Sequence, residues 1–364
     1  MNTDRRFWTG IVIFSLVIGL ICFFPYWFTS RSFHNLDFRE TGPIGDTIGG
    51  IMGPFIAIAA ALLTFFAFWV QYQANVQQRE QFSLSLKKQK EESLAQEKIW
   101  RIERFENRFY ELLKLHRANV DEMNIANKLH GRKCFVQMFY ELKYCWIKVN
   151  DVINATPQKE KDDHNYHKMN VFEFVYKIFF FGIGFNSEKQ LMYSFNQPQM
   201  HLFKECKPVL NEIQDRFEKL RTENPADSMQ VLDVPLTGIA DYRTFEISYY
   251  PFDGHVNRLG HYYRHLFQTA TYVVEQPDEL LDYDMKYSYL KTLRAQLSNH
   301  EQLLLYYNSL AWFDKEWREI LTTYRFIKNL PLPLADFGEA PEQHFKKEIQ
   351  ELRDKGLEMF EWRE

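Results

Sequence analysis

Apolar and polar positions follow three different rhythms along the 364 residues. Near the N-terminus, polar interruption almost vanishes. One uncharged run extends from Phe7 to Phe28, with no charge between Arg6 and Arg31; a second extends from Ile48 to Val70, with none between Asp46 and Arg79. At about 1.5 Å rise per residue, a helix of about 22 residues is about 33 Å long, enough to cross the hydrocarbon core of a bilayer. Two membrane spans are therefore predicted, at about 7–28 and 48–70. A cleaved secretory signal is the alternative for the first. Its apolar run is too long for that, no small-x-small cleavage pattern follows, and Pro25, Tyr26 and Trp27 close it with interfacial aromatics. A buried helix of a soluble domain is the alternative for the second, which its length, its terminal Trp69 and Tyr72 and its lack of ionisable groups disfavour.

The second rhythm starts after the second run. From Gln71 to Val120 there is neither Gly nor Pro. The polar, amide-rich start gives way to apolar positions at Ile102, Phe105, Phe109, Leu112 and His116, spaced by three and four. That spacing predicts a helical seam packed against the body of the protein, and it is short for a dedicated coiled coil. A break between Lys87 and Ser93 is compatible with the composition there.

Beyond it the periodicity stays helical, with segments near 134–153, 170–182, 188–222, 256–275, 279–311 and 313–328. The stretch 231–254, punctuated by Pro, Gly and Asp, reads as an irregular connector with short extended pieces, and 155–168 as an exposed loop. Pro331 and Pro333 end the bundle, and a short charged helix follows Pro341. The expected fold is mainly α. A two-helix transmembrane hairpin (1–73) is followed by a connecting helix (74–120) and an α-helical cytoplasmic sensor domain (121–364).

Charge sets the orientation. Arg5 and Arg6 precede the first span, Arg31 and Arg39 lie between the spans, and Arg79, Lys87, Lys88, Lys90, Lys98, Arg101 and Arg104 follow the second. The excess of basic residues outside the loop places both termini in the cytoplasm and the short loop on the other side. A net charge of −4 shows no global bias toward nucleic acid. Cys22, Cys134, Cys145 and Cys206 form no C-x-x-C pair, so neither a disulfide framework nor a zinc ribbon is indicated. Aromatic residues make up 17% of the chain, which suits a packed helical core and excludes a disordered body.

Within the second span small residues recur every fourth position: Gly45, Gly49, Gly53, Ala57 and Ala61. Such a stripe lets another backbone approach closely, from the first span or from a second protomer. Asp46, at the outer edge, reads as a helix cap or as one member of a carboxylate ring at a pore mouth. Pro54 removes a backbone donor and is a candidate kink.

Two stretches of the body concentrate polar groups among aromatics. In the first, His261, Arg264, His265 and Gln268 share one helical face. In the second, Arg294, Ser298 and Glu301 fall at i, i+4 and i+7, with Gln296 beside them. Arg264 and Arg294 are candidates to clamp an anion such as phosphate or a nucleic-acid backbone; the alternative is a structural network between antiparallel helices. No nucleophile elbow, metal triad or glycine-rich phosphate loop occurs, so no catalytic residue and no cofactor is assigned. Asp162, Asp163, His164 and His167 have loose metal-like spacing, but in a polar stretch they read as a solvated patch.

Four motifs carry a resemblance: GDTIGGIMGPFIAIAAALLTFFAFWVQYQ, RFENRFYELLKLH, LGHYYRHLFQ and LRAQLSNHEQLLLYYNSL, together spanning about 45–310. In these the chain resembles the bacterial phage abortive infection proteins of the AbiC type. The resemblance implies a two-span effector of anti-phage defence in the bacterial inner membrane. Similar effectors accompany retron reverse transcriptases, where the polymerase and an RNA–DNA hybrid hold the effector silent. The resemblance carries no catalytic residues. The expected partners are the lipid bilayer and further copies of the chain, and no small-molecule substrate is indicated. Permeabilisation of the membrane by assembled hairpins is the leading expectation. A membrane-tethered nuclease or nucleotide-acting enzyme and a non-enzymatic scaffold are the alternatives.

Overall fold

A computed structural model describes residues 2–30, 44–223, 230–235 and 242–361. The fold is mainly α. Its contacts divide the chain into two units, Met1–Glu97 and Lys98–Glu364.

The first unit contains helix α1 (Asn2–Ser30) and the greater part of helix α2 (Ile44–Asp121). Both predicted spans are helical. Among the described residues one helix, from Gly49 onward, is long and apolar enough to cross a membrane, and a shorter apolar stretch covers Val12–Ile21. Large apolar side chains on α2 lie open, among them Phe65, Phe68 (67% exposed) and Trp69. The connection carrying Arg31 and Arg39 lies outside the described residues. Asp46 is not a cap residue that precedes the helix: α2 begins at Ile44 and Asp46 sits within its first turn, where a carboxylate still suits the dipole. The break considered between Lys87 and Ser93 is absent, because α2 runs through it without interruption.

The second unit is built on the last turns of α2 and on helix α3 (Lys133–Ala155). Phe105, Phe109, Leu112 and His116 are buried, as the seam predicts. Complete burial of a residue such as Phe109 contributes roughly 1.5–3 kcal/mol. Tyr289 stands edge-on to both seam rings, its centroid 4.9 Å from that of Phe105 and 5.2 Å from that of Phe109. A short hairpin, β1 (Asn124–Ile125) and β2 (Leu129–His130), turns the chain from α2 into α3.

Helix α3 sits at the centre, with Phe135, Met138, Phe139, Leu142, Cys145 and Val149 all buried at helical spacing. Around it pack α5 (Val171–Phe181), α7 (Gln197–Glu223) and α10 (Asn299–Asn308). Between α3 and α5 the predicted exposed loop is instead a short helix, α4 (Gln158–Asp163), followed by a 3₁₀ turn, Tyr166–Lys168. Pro157 starts it, and Tyr166, being apolar in body, is buried rather than solvated. The predicted single helix over 188–222 is two helices, α6 (Phe185–Ser194) and α7. The Asn196 side chain ends the run by accepting from the Gln199 amide at 2.9 Å.

The connector at 231–254 contains an antiparallel hairpin, β3 (Gln230–Pro235) and β4 (Tyr242–Ile247), in register from Gln230 opposite Ile247 to Pro235 opposite Tyr242. Positions 236–241 lie outside the described residues. Helices α8 (Val256–Val274), α9 (Tyr283–Arg294) and α11 (Asp314–Thr322) complete the body, with a widened π turn over Ser309–Phe313 between α10 and α11. The predicted helix over 279–311 is broken into α9 and α10, and the one over 313–328 stops at Thr322.

Buried polar residues of α3 pin the loops around it. Lys143 Nζ donates to Asp336 at 2.6 Å. Glu141, fully buried, accepts from the Phe252 amide at 2.7 Å, from the Tyr249 hydroxyl and from His255 Nε2 at 2.8 Å. The 2.8 Å contact assigns the proton to Nε2.

Candidate functional site

A polar junction forms where the end of α2 meets α8 and the α9–α10 break. It is built around Glu301. Ser298 is the N-cap of α10, and its hydroxyl accepts from the Glu301 amide at 3.4 Å while Glu301 Oε2 accepts from the Ser298 amide at 2.8 Å. This reciprocal capping box is why the helix restarts at Asn299. It also corrects the expectation that Arg294, Ser298 and Glu301 share a face at i, i+4 and i+7, since the three do not belong to one helix.

Glu301 is completely buried yet well supplied with donors. The Tyr262 hydroxyl of α8 donates to Oε1 at 3.0 Å, and Arg132 Nε lies 3.5 Å from Oε2. Burial raises the Glu301 pKa; the donors from Ser298, Tyr262 and Arg132 oppose that rise. Arg132 is 58% exposed, so the carboxylate is bridged to solvent by a guanidinium. The second donor face of Arg132 reaches the Gln296 carbonyl at 2.7 Å, and Arg117 Nε reaches Gln296 Oε1 at 2.8 Å. Gln296 thus ties the last turns of α2 to the interhelical break.

Beneath this layer lies a histidine pair. His116 of α2 is 1% exposed, its ring 5.3 Å from Tyr262 and stacked 6.2 Å from His265 of α8. Among the described residues, neither ring nitrogen of His116 or of His265 has a hydrogen-bond partner. Burial first, then the charges of His265 and Arg132, push the His116 pKa down to about 4. Burial and then His261 lower that of His265. Both rings are neutral at pH 7, and placing a proton on either would put an unpaired charge inside the junction.

The predicted site residues are divided by the fold. Ser298, Gln296 and Glu301 come together with Arg132, Arg117 and Tyr262. Arg294 is buried and donates to the Arg325 carbonyl at 2.7 Å. His261 and Arg264 lie on the exposed face of α8. On α2, an added Cβ at Gly49 or Gly53 meets nothing within 4 Å among the described residues. His116, Arg117, Arg132 and Tyr262 were not singled out as site residues from the sequence, although His116 stands in the apolar seam and Ser298-Asn-His-Glu301 spells a capping box.

Cys134 and Cys206 are core side chains: burial pushes Cys134 up to about 11 and Cys206 up to about 12.

Residues 254–334 match the family described as Putative phage abortive infection protein. That segment holds Tyr262, Arg264, His265, Arg294, Gln296, Ser298 and Glu301, so the α8 and α10 sides of the junction fall inside it and the α2 side does not. The abortive-infection match agrees with the resemblance in the sequence motifs and supports anti-phage defence as the setting in which the chain acts. No curated protein and no solved structure matches it.

Proposed function

We propose that this chain is a membrane-embedded effector of abortive infection, which collapses the membrane potential of an infected bacterium when its helical body is triggered. One observation carries the reading. A segment matching the abortive-infection family is joined, in one polypeptide, to a helix whose apolar side chains lie open and whose length suffices to cross a bilayer. In this reading α1 and the first part of α2 form two spans with both termini in the cytoplasm, and copies assemble through the Gly49–Gly53 stripe. The chain acts without an enzymatic step of its own. The junction at Glu301 and His116 is the regulatory element, because α2 carries both the apolar run and His116. The exposed His261 and Arg264 face is where a silencing partner with a phosphate backbone, such as the RNA–DNA hybrid of a retron, would dock.

A membrane-potential dye followed through phage infection tests the proposal. Cells producing the full chain are expected to depolarise before lysis, and cells producing only residues 75–364 are expected to keep their potential and lose protection. Growth arrest by the 75–364 fragment with the potential intact would overturn it in favour of an enzyme.

A further inference from the structure

We propose that Glu160, His164 and His201 form a binding site for a divalent metal ion of the zinc class, clasping α4 to the first turn of α7. Each of the three offers one ligand atom, and these atoms lie within 4.8 Å of one another. The local fold explains why. The His164 amide bonds the Glu160 carbonyl at 3.0 Å, so the helical turn of α4 continues to His164 and sets the two side chains on one face at i and i+4. His201 comes from the first turn of α7, and its ring stacks on His164 at a centroid distance of 3.4 Å.

Three features distinguish this group from a chance cluster. First, His201 already has the support that a metal-bound imidazole needs. The Tyr166 hydroxyl is 2.8 Å from Nδ1, which leaves Nε2 free to face Glu160. A ring held at one nitrogen by an outer partner presents the other as a ligand. Tyr166 is itself buried, so this outer partner is held in place by packing. Second, His201 Nε2 and Glu160 Oε1 are 3.9 Å apart. That is too long for a hydrogen bond. It exceeds by only about half an ångström the separation of two donors on a tetrahedral ion with bonds near 2.0–2.1 Å. Third, all three residues are half-buried, so an ion can enter while the walls shield it from bulk water.

Two imidazoles with one carboxylate select a borderline transition-metal ion over magnesium or calcium, whose ligands are oxygens. Three protein ligands leave a fourth position for water. Binding requires the His164 ring to turn out of its stack on His201, and its place at the end of a short helix permits that. Of the loosely metal-spaced residues Asp162, Asp163, His164 and His167, which read as a solvated patch in the sequence, only His164 belongs to this group. Asp162 accepts from Gln158, and Asp163 and His167 face solvent.

The test uses the full chain, made without a histidine tag, solubilised in detergent and stripped with chelator. It is titrated with zinc chloride against a fluorescent zinc indicator, and in parallel with magnesium chloride. One zinc per chain is expected, with no response to magnesium. His164→Ala and His201→Ala, checked for unchanged near-ultraviolet circular dichroism, lose the site, and Tyr166→Phe weakens it by ~10- to 100-fold. Cobalt substituted into the wild-type chain should show d–d bands without thiolate charge transfer, a readout that depends on no variant. Failure to bind zinc, zinc retained by the double histidine variant, or thiolate bands from the buried cysteines would each overturn the proposal.

Discussion

Glu141 and His255 are 114 residues apart in sequence and 2.8 Å apart in space. Both are buried, and Glu141 accepts from the Phe252 amide and the Tyr249 hydroxyl as well. One carboxylate on the central helix therefore fixes the whole turn that leads from the β-hairpin into α8. A charge in such a place is tolerated only because every lone pair facing the protein has a donor.

Glu141→Ala should be among the most damaging single changes in the body. It strands three donors in an apolar interior and should cost about 3–5 kcal/mol. Glu141→Gln keeps one acceptor oxygen for the Phe252 amide and should cost less. Urea unfolding of the detergent-solubilised chain, followed by near-ultraviolet circular dichroism, measures the difference. An alanine variant as stable as wild type would show that this network does not hold the turn.

The same turn contains a second constraint. Gly182 and Gly254 pass so closely that a Cβ on Gly254 would stand 2.4 Å from the Phe181 carbonyl oxygen, and Gly254 has φ of +90°. Gly254→Ala therefore meets both a steric and a conformational penalty and should destabilise by more than about 2 kcal/mol. Gly356→Ala is the matched comparison. Gly356 also has positive φ, +70°, but its Cβ would enter open space, so only the backbone term of about 1–2 kcal/mol applies. Equal losses in the two variants would mean that the backbone crossing at Gly182 is unimportant.

Much of the body was legible from spacing alone. Of the seam, Phe105, Phe109 and Leu112 are buried as its period requires and Ile102 is partly buried, and α3, α5 and α8 stand within a residue or two of their predicted limits. The α9–α10 break was hidden because Leu293, Leu297 and Leu304 keep helical spacing across it, and all three are buried on both sides of the break. Only the capping box at Ser298 and Glu301 marked it locally. The junction itself was half legible. Gln296, Ser298 and Glu301 stand out as polar positions, whereas Arg132 sits at the edge of a hairpin and reaches Glu301 only through tertiary folding. The Glu160, His164 and His201 group was illegible for the same reason: periodicity reports which face is buried, not which distant helix covers it.

The His116–His265 pair gives the body a defined response to acid. The folded-state pKa of His116, about 4, lies below the ordinary histidine value of 6.5 expected for the unfolded chain. As pH falls from 6.5 toward 4 the unfolded chain takes up a proton that the folded chain refuses, so stability is present at neutral pH and is lost through that window. The slope is about 1.4 kcal/mol per pH unit, or about 2 kcal/mol between pH 6.5 and pH 5. His116→Leu removes this term, and its stability should fall less over the same interval. Parallel pH profiles for the two chains, read by urea unfolding, would show that His116 is not held neutral.

The small-residue stripe of α2 separates packing inside one chain from packing between chains. An added Cβ at Gly49 or Gly53 meets nothing within 4 Å among the described residues, so the first atom of a side chain is accommodated at either position. A leucine there obstructs a backbone arriving from elsewhere, and small-xxx-small contacts depend on that close approach. Both variants should insert into the membrane at wild-type levels and fail to depolarise infected cells. Ile58→Ala, on the opposite flank of the same helix and 59% exposed, should keep activity. Crosslinking in membranes should lose its oligomer bands in the two glycine variants alone. If Gly49→Leu and Gly53→Leu still depolarise cells, the glycine face is not the contact through which the effector assembles.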